Sequence, residues 1–163
     1  MERDDRVPES FHTRLLRVGY NLIPAYRGTG GRIIYIADDL REIRVRIPLN
    51  WRTRNYVGTI FGGSMFGAVD PVYMVMLIKN LGGGYVVWDK SATIEFKKPG
   101  RDALEARFVL TEEELDAIRA ELESQPAVER TYRIELVNRA GEVCAIVEKQ
   151  IHIKKRRVQA RST

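Results

Sequence analysis

Reactive side chains are scarce in this sequence. One cysteine and two histidines among 163 residues leave little from which to build a metal centre or a thiol-based catalyst. A lone cysteine, Cys144, excludes an intramolecular disulfide and fits a reducing cytoplasm, so a cytoplasmic location is expected. Cys144 falls in the strand-like "VCAIVEKQIHI" and reads as a core thiol, with no histidine close in sequence to activate it. His12 and His152 lack Cys, His or acidic partners at metal-ligand spacing, so no metal site is expected. Long apolar runs are missing as well. The longest is interrupted by Asp70 and Pro71 and falls short of a membrane span, so no membrane partner is expected. The opening "MERDDRVPES" has no apolar stretch of the kind a signal peptide needs.

What is present fits a globular chain. Hydrophobic residues make up 44% and charged residues 30%, which excludes a disordered composition. The balance of 27 basic against 22 acidic residues gives 27 − 22 = +5, a surface that suits an anionic ligand, nucleic acid or an acidic surface equally, or simply a basic soluble protein. Neither a repeat nor a dividing linker is visible, so residues 1–163 read as one domain with a loose arm (1–9) and a basic tail (155–163). The stretch "KKRRVQAR" that leads into it, with Lys154, Lys155, Arg156, Arg157 and Arg161, has few aromatics interleaved, and nucleic acid is not expected as a partner.

Ser10 can cap a helix whose apolar positions Phe11, Leu15, Val18 and Leu22 keep helical spacing. The alternating segments "RIIYIADD" and "EIRVRIPL" predict a hairpin. From Ser64 to Leu81 the chain is apolar almost all round, as in a buried helix. "LGGG" stops it. Strand-like segments follow: "YVVWDK", "SATIEFKK", "ALEARFVL", and a final pair around Ala140-Gly141. The charged "TEEELDAIRAELESQ" is inserted as a helix, with Thr111 and Glu114 spaced as a capping box. An apolar helix needs a surface that wraps it, and the antiparallel strands supply one, which defines an α+β fold.

The chemistry concentrates in "NYVGTIFGGSMFGAVD". Gly58, Gly62 and Gly63 precede the buried helix, whose first-turn N–H groups form a partly positive end that can hold an anion or a developing oxyanion. No Walker lysine-serine pair is present, so this is not a nucleotide P-loop. Asp70 follows Gly63 by seven residues, nearly two turns, which puts the two on one helix face about 10 Å apart. One bound carbonyl cannot touch both on the same chain, so joint action on a substrate requires two subunits. Asp70 could instead cap or orient a neighbouring element, with Pro71 either starting a second helix or kinking a continuous one.

These residues resemble a known family. The run Asn55-x-x-Gly58-Thr59-x-Phe61-Gly62-Gly63 followed by Asp70 is similar to the N-x-x-G-x-x-H-G-G segment, with its later acidic residue, of hot-dog-fold acyl-CoA thioesterases of the phenylacetate-pathway branch. "SATIEFKKPGRDALEARFVL" is similar to that family's strand, Pro-Gly turn and second strand. The resemblance implies a hot-dog fold, a long antiparallel sheet curled around the central helix and continued by a second copy in a homodimer or homotetramer. It implies thioester hydrolysis with coenzyme A as part of the substrate and no separate cofactor. Gly62 or Gly63 would polarise the thioester carbonyl, Asp70 of the partner subunit would act as base or nucleophile, and Asn55 would orient the loop or a water. Phe61, Ser64, Thr59, Gly58, Lys98 and Arg101 would contact substrate. Phe61 stands where the family has histidine, which keeps a non-catalytic acyl-CoA binding protein as the alternative. A hydratase or dehydratase is disfavoured, since those pair the acidic residue with a histidine and none lies between residues 13 and 151. Tyr73, Met65, Met74 and Met76 read as core residues, one face of which could line an acyl tunnel.

Overall fold

Residues 7–156 are described by a computed structural model of the chain. The chain opens with α1 (Phe11–Leu22) and α2 (Pro24–Gly28), followed by the hairpin β1 (Arg32–Ile36) and β2 (Glu42–Ile47). The central helix comes as two pieces, α3 (Gly62–Val69) and α4 (Val72–Leu81). Next are β3 (Tyr85–Phe96), β4 (Leu104–Val109), α5 (Glu112–Ser124), β5 (Val128–Val137) and β6 (Val143–Lys155). The six strands form one sheet in the order β1-β2-β4-β5-β6-β3, antiparallel throughout. Its inner face and α3–α4 share one core, in which Val45, Phe108, Ile134, Val147 and Ile151 meet Met65, Val69, Met76 and Leu77. This is the hot-dog arrangement that the resemblance implies.

Several local expectations hold and several are corrected. "YVVWDK" and "SATIEFKK" are one strand, β3, whose register with β6 shifts between Asp89 and Ser91. Asp70 closes α3 and Pro71 opens α4, both with helical backbone angles, so the proline separates two helical pieces. Gly82, at φ 83°, ends α4 in a conformation that side chains resist. On α5, Thr111 caps the Glu114 N–H, but the Glu114 carboxylate turns instead to Arg130 and Tyr132, so the box is half made. The β4–β5 ladder is reduced to one pair, Glu105 with Val137, and α5 packs Leu115, Ile118 and Leu122 into the core nearby.

α1 forms as expected, but its apolar stripe faces outward: Phe11 is 85% and Leu15 62% exposed. The opposite face docks, through buried Thr13 and partly buried Leu16 and Tyr20. The reason is polar. Asn21 exchanges two hydrogen bonds with the backbone of Ile33, and Glu9 accepts from the Ile36 N–H and from Arg17. Side chains thus occupy the outer edge of β1 and hold α1 in that orientation. Glu9 is therefore anchored, the Val7 carbonyl accepts from the Tyr35 hydroxyl, Lys154 and Lys155 belong to β6 and the Arg156 N–H donates to the Gly84 carbonyl; residues 1–6 and 157–163 of the expected arm and tail lie outside the described residues. Cys144 is buried, as expected, and burial raises its thiol pKa. Among the described residues no helix is long and apolar enough to cross a membrane.

Candidate active site

The loop before α3 is closed by its own residues. Asn55 Oδ1 accepts from the N–H groups of Val57 (3.1 Å) and Thr59 (3.0 Å), and Asn55 Nδ2 donates to Thr59 Oγ1 (2.9 Å). Gly58 takes φ +83° at the tip of this turn, the left-handed region where a Cβ is unwelcome. The Ile60 N–H donates to the Gly100 carbonyl (2.9 Å), which ties the loop to the "KKPGR" turn after β3. Between loop and turn lies a cleft of about 490 Å³ whose walls include Asn55, Thr59, Gly62, Phe96, Lys98 and Arg101. Five residues singled out in the sequence converge there. Gly58, Phe61, Gly63 and Ser64 are not among its wall residues, and Ser64 is buried. Lys98 is paired with Glu142, whose carboxylate raises the lysine pKa, whereas Arg101 has no carboxylate partner among the described residues.

α3 begins without a side-chain cap, because its N-cap is Phe61, which has no acceptor to offer. Gly62 and Gly63, its first two residues, have no intrahelical carbonyl for their N–H groups. A side chain at either position would require a neighbouring half-exposed ring to turn aside. A Cβ on Gly62 would sit 2.7 Å from the Phe96 ring, and one on Gly63 would sit 2.4 Å from the Phe61 ring. Two half-exposed phenyl rings therefore flank the uncapped helix end.

Asp70 is neither alone nor fully buried. Its side chain is 45% exposed, and Oδ1 accepts from Lys149 Nζ at 2.6 Å. The Asp70 backbone carbonyl accepts from the same ammonium. Lys149 is 1% exposed and reaches Asp89 Oδ2 at 2.9 Å on its other side. Asp89 Oδ1 is buried with no hydrogen bond among the described residues. Burial raises the Asp89 pKa; the Lys149 ammonium opposes that rise, and the Asp70 charge adds to it. Asp70 opens onto a second cavity of about 380 Å³, with Tyr20, Tyr26, Val72 and Val75 among its walls. Gly62 and Asp70 thus border different cavities, as their spacing predicts.

Lys149 and Asp89 were missed in the sequence. A signal for Lys149 exists. Along β6 the inward positions are Ala145, Val147, Lys149, Ile151 and Ile153, one lysine in an apolar series. Asp89 carried no such mark, since the register shift beside it hides the alternation.

The fold is shared with solved structures. A Pseudomonas aeruginosa protein of unknown function, described as a probable thioesterase, is 18% identical with TM-score 0.78, covering 93% of this chain and 99% of its own. A Haemophilus influenzae thioesterase is 14% identical with TM-score 0.65, covering 90% and 93%. The Escherichia coli PaaI protein, from the phenylacetic acid degradation operon, is 18% identical with TM-score 0.56, covering 86% and 93%. At these identities the likeness is one of fold, and it places the chain among hot-dog proteins. No curated protein is a detectable sequence relative. By sequence the chain belongs to the DUF4442 family, described as a domain of unknown function, which it matches over residues 12–153.

Proposed function

We propose that the protein hydrolyses acyl-CoA thioesters as a homo-oligomer, with each site built from two chains. The observation that carries this reading is the cleft where Asn55, Thr59, Gly62, Lys98 and Arg101 meet at an uncapped helix N-terminus, while Asp70 opens elsewhere on the same chain. The Gly62 and Gly63 N–H groups would receive the carbonyl oxygen as it gains charge. Asp70 of the partner subunit would take a proton from water as its oxygen bonds to the carbonyl carbon, or attack that carbon directly to give an anhydride that water then opens. In either route the C–S bond breaks, and the thiolate leaves and collects a proton. Arg101, without a carboxylate partner among the described residues, suits a coenzyme A phosphate, and Lys98 would have to leave Glu142 to join it.

The edges of the sheet support pairing. β1 is covered by side chains from α1 and the preceding segment, whereas β3, 12 residues long, pairs among the described residues with β6 alone. An open strand edge of that length is a template for a second copy.

One observation favours a second reading. The phenyl ring of Phe61 lies against Gly63 where the resembled family carries a histidine, and it can neither donate nor accept a hydrogen bond. In that reading the protein binds acyl-CoA without cleaving it. The test is free-thiol release from short, medium, long and aryl acyl-CoA substrates by wild type and Asp70→Asn. Hydrolysis predicts a loss of about 10²–10⁴-fold in the variant, the usual weight of a positioned acid or base. Saturable binding with no turnover on any substrate would select the binding protein.

A further inference from the structure

Lys149 is an expensive residue in its position. It lies within the core at 1% exposure, on an inward series otherwise filled by Ala145, Val147, Ile151 and Ile153. Taking an ammonium out of water is costly, and well-packed apolar side chains commonly stabilise a protein as well as a buried ion pair does. Asp70 does not need it for solvation either, since almost half of its side chain already meets solvent. Stability therefore does not account for the lysine.

Its geometry does. An ammonium has three donors, and Lys149 finds three acceptors: Asp70 Oδ1, the Asp70 carbonyl and Asp89 Oδ2. Two of them belong to one residue, so side chain and backbone of Asp70 are gripped together at the end of α3. A cation is also favoured at that end of a helix. Asp89 supplies a second negative charge, and only one carboxylate oxygen of Asp70 is engaged. Asp70 Oδ2 has no hydrogen bond among the described residues.

Resting on the hydrolase reading above, we infer that Lys149 is a positioning residue for Asp70. It fixes the carboxylate through Oδ1, with Asp89 holding the ammonium from behind, and leaves Oδ2 free to meet water or the thioester carbon. Displacing a reacting group by about 1 Å can cost on the order of 100-fold in rate, so such a clamp acts on turnover rather than on substrate affinity.

The test is a double-mutant cycle of Lys149→Met and Asp70→Asn, read in steady-state thiol release and in thermal melting. The expected result is a fall of about 10–100-fold in kcat for Lys149→Met, with KM nearly unchanged, and no further loss when it is added to Asp70→Asn. Melting temperatures should be non-additive in the same direction. Equal losses in both backgrounds would mean that Lys149 serves the fold alone and would overturn the inference, as would additive melting temperatures. If Lys149→Met does not fold, Lys149→Arg keeps the charge with a different donor geometry. A kcat loss in it that disappears beside Asp70→Asn supports the inference, and a loss that persists there overturns it. A wild type that cleaves no acyl-CoA would fail the hydrolase reading itself, a result distinguishable from active enzyme with additive losses.

Discussion

The cleft at the start of α3 is walled by Asn55, Thr59, Lys98 and Arg101, whereas the cavity that Asp70 faces, a short helix away, is walled largely by Ile23, Tyr26, Val72 and Val75. The first mixes polar and basic groups with the apolar Val57, Ile60, Met65 and Phe96, and is assembled from two short segments, 55–65 and 96–101, tied by the hydrogen bond from the Ile60 N–H to the Gly100 carbonyl. The second is apolar, assembled from α1, α2, the hairpin and the α3–α4 junction, with one charge at its rim. That charge is anchored from β6 and β3, 79 and 19 residues further along the chain. An acyl-CoA has the same division, a phosphate-bearing end and an apolar end with the thioester between. The protein keeps the two environments apart within one chain, and closing the proposed dimer is what would set them on either side of a single thioester.

The comparison can be broken at the polar cleft first. Gly62 is the first residue of α3, a position that tolerates proline, and Phe61 before it has φ −63° and ψ 132°, the extended conformation that a following proline demands. Gly62→Pro therefore deletes one N–H while the helix remains, and the half-exposed Phe96 ring has room to turn aside. The expected outcome is a loss of about 10²–10³-fold in kcat, as for other lost oxyanion donors, with an unchanged circular dichroism spectrum. A variant with full activity would remove the helix end from the chemistry.

A smaller effect sharpens the charged side. Burial raises the Asp89 pKa above its ordinary value of 3.8, against the pull of Lys149. The folded protein thus holds this proton more tightly than the unfolded chain does. The resulting stability is complete below the unfolded pKa and is lost as pH rises through the folded one. Asp89→Asn abolishes that loss, so its stability relative to wild type should improve as pH rises above the ordinary value of 3.8 in urea denaturation. A relative stability that worsens with pH would show that the ion pair with Lys149 outweighs the cost of burial.

Legibility in the sequence followed the same division. The loop, its glycines and the "KKPGR" turn could be read because each acts within a few residues of itself, and their convergence required only that a strand return beside a helix start. Asp70 could be marked as anomalous in an apolar run, yet its partner could not be found from spacing. Pairing across 79 residues depends on the register of β6 against the central helix, which alternation does not fix. The orientation of α1 escaped for a related reason. Its apolar stripe suggested the buried face, but Asn21 and Glu9 bind the β1 edge and turn the stripe outward. Polar anchoring overrode hydrophobic patterning.

The central claim is that one site draws on two chains, and subunit complementation tests it most directly. Asp70→Asn and Gly62→Pro proteins, each impaired alone, are mixed under conditions that exchange subunits. In a dimer with shared sites, half of the mixed population carries one of each chain, and one of its two sites combines an intact helix start with an intact Asp70. The account predicts recovery to about a quarter of wild-type turnover. Activity that stays at the level of the separate variants would contradict it, placing Asp70 and the helix start in the service of their own chain alone.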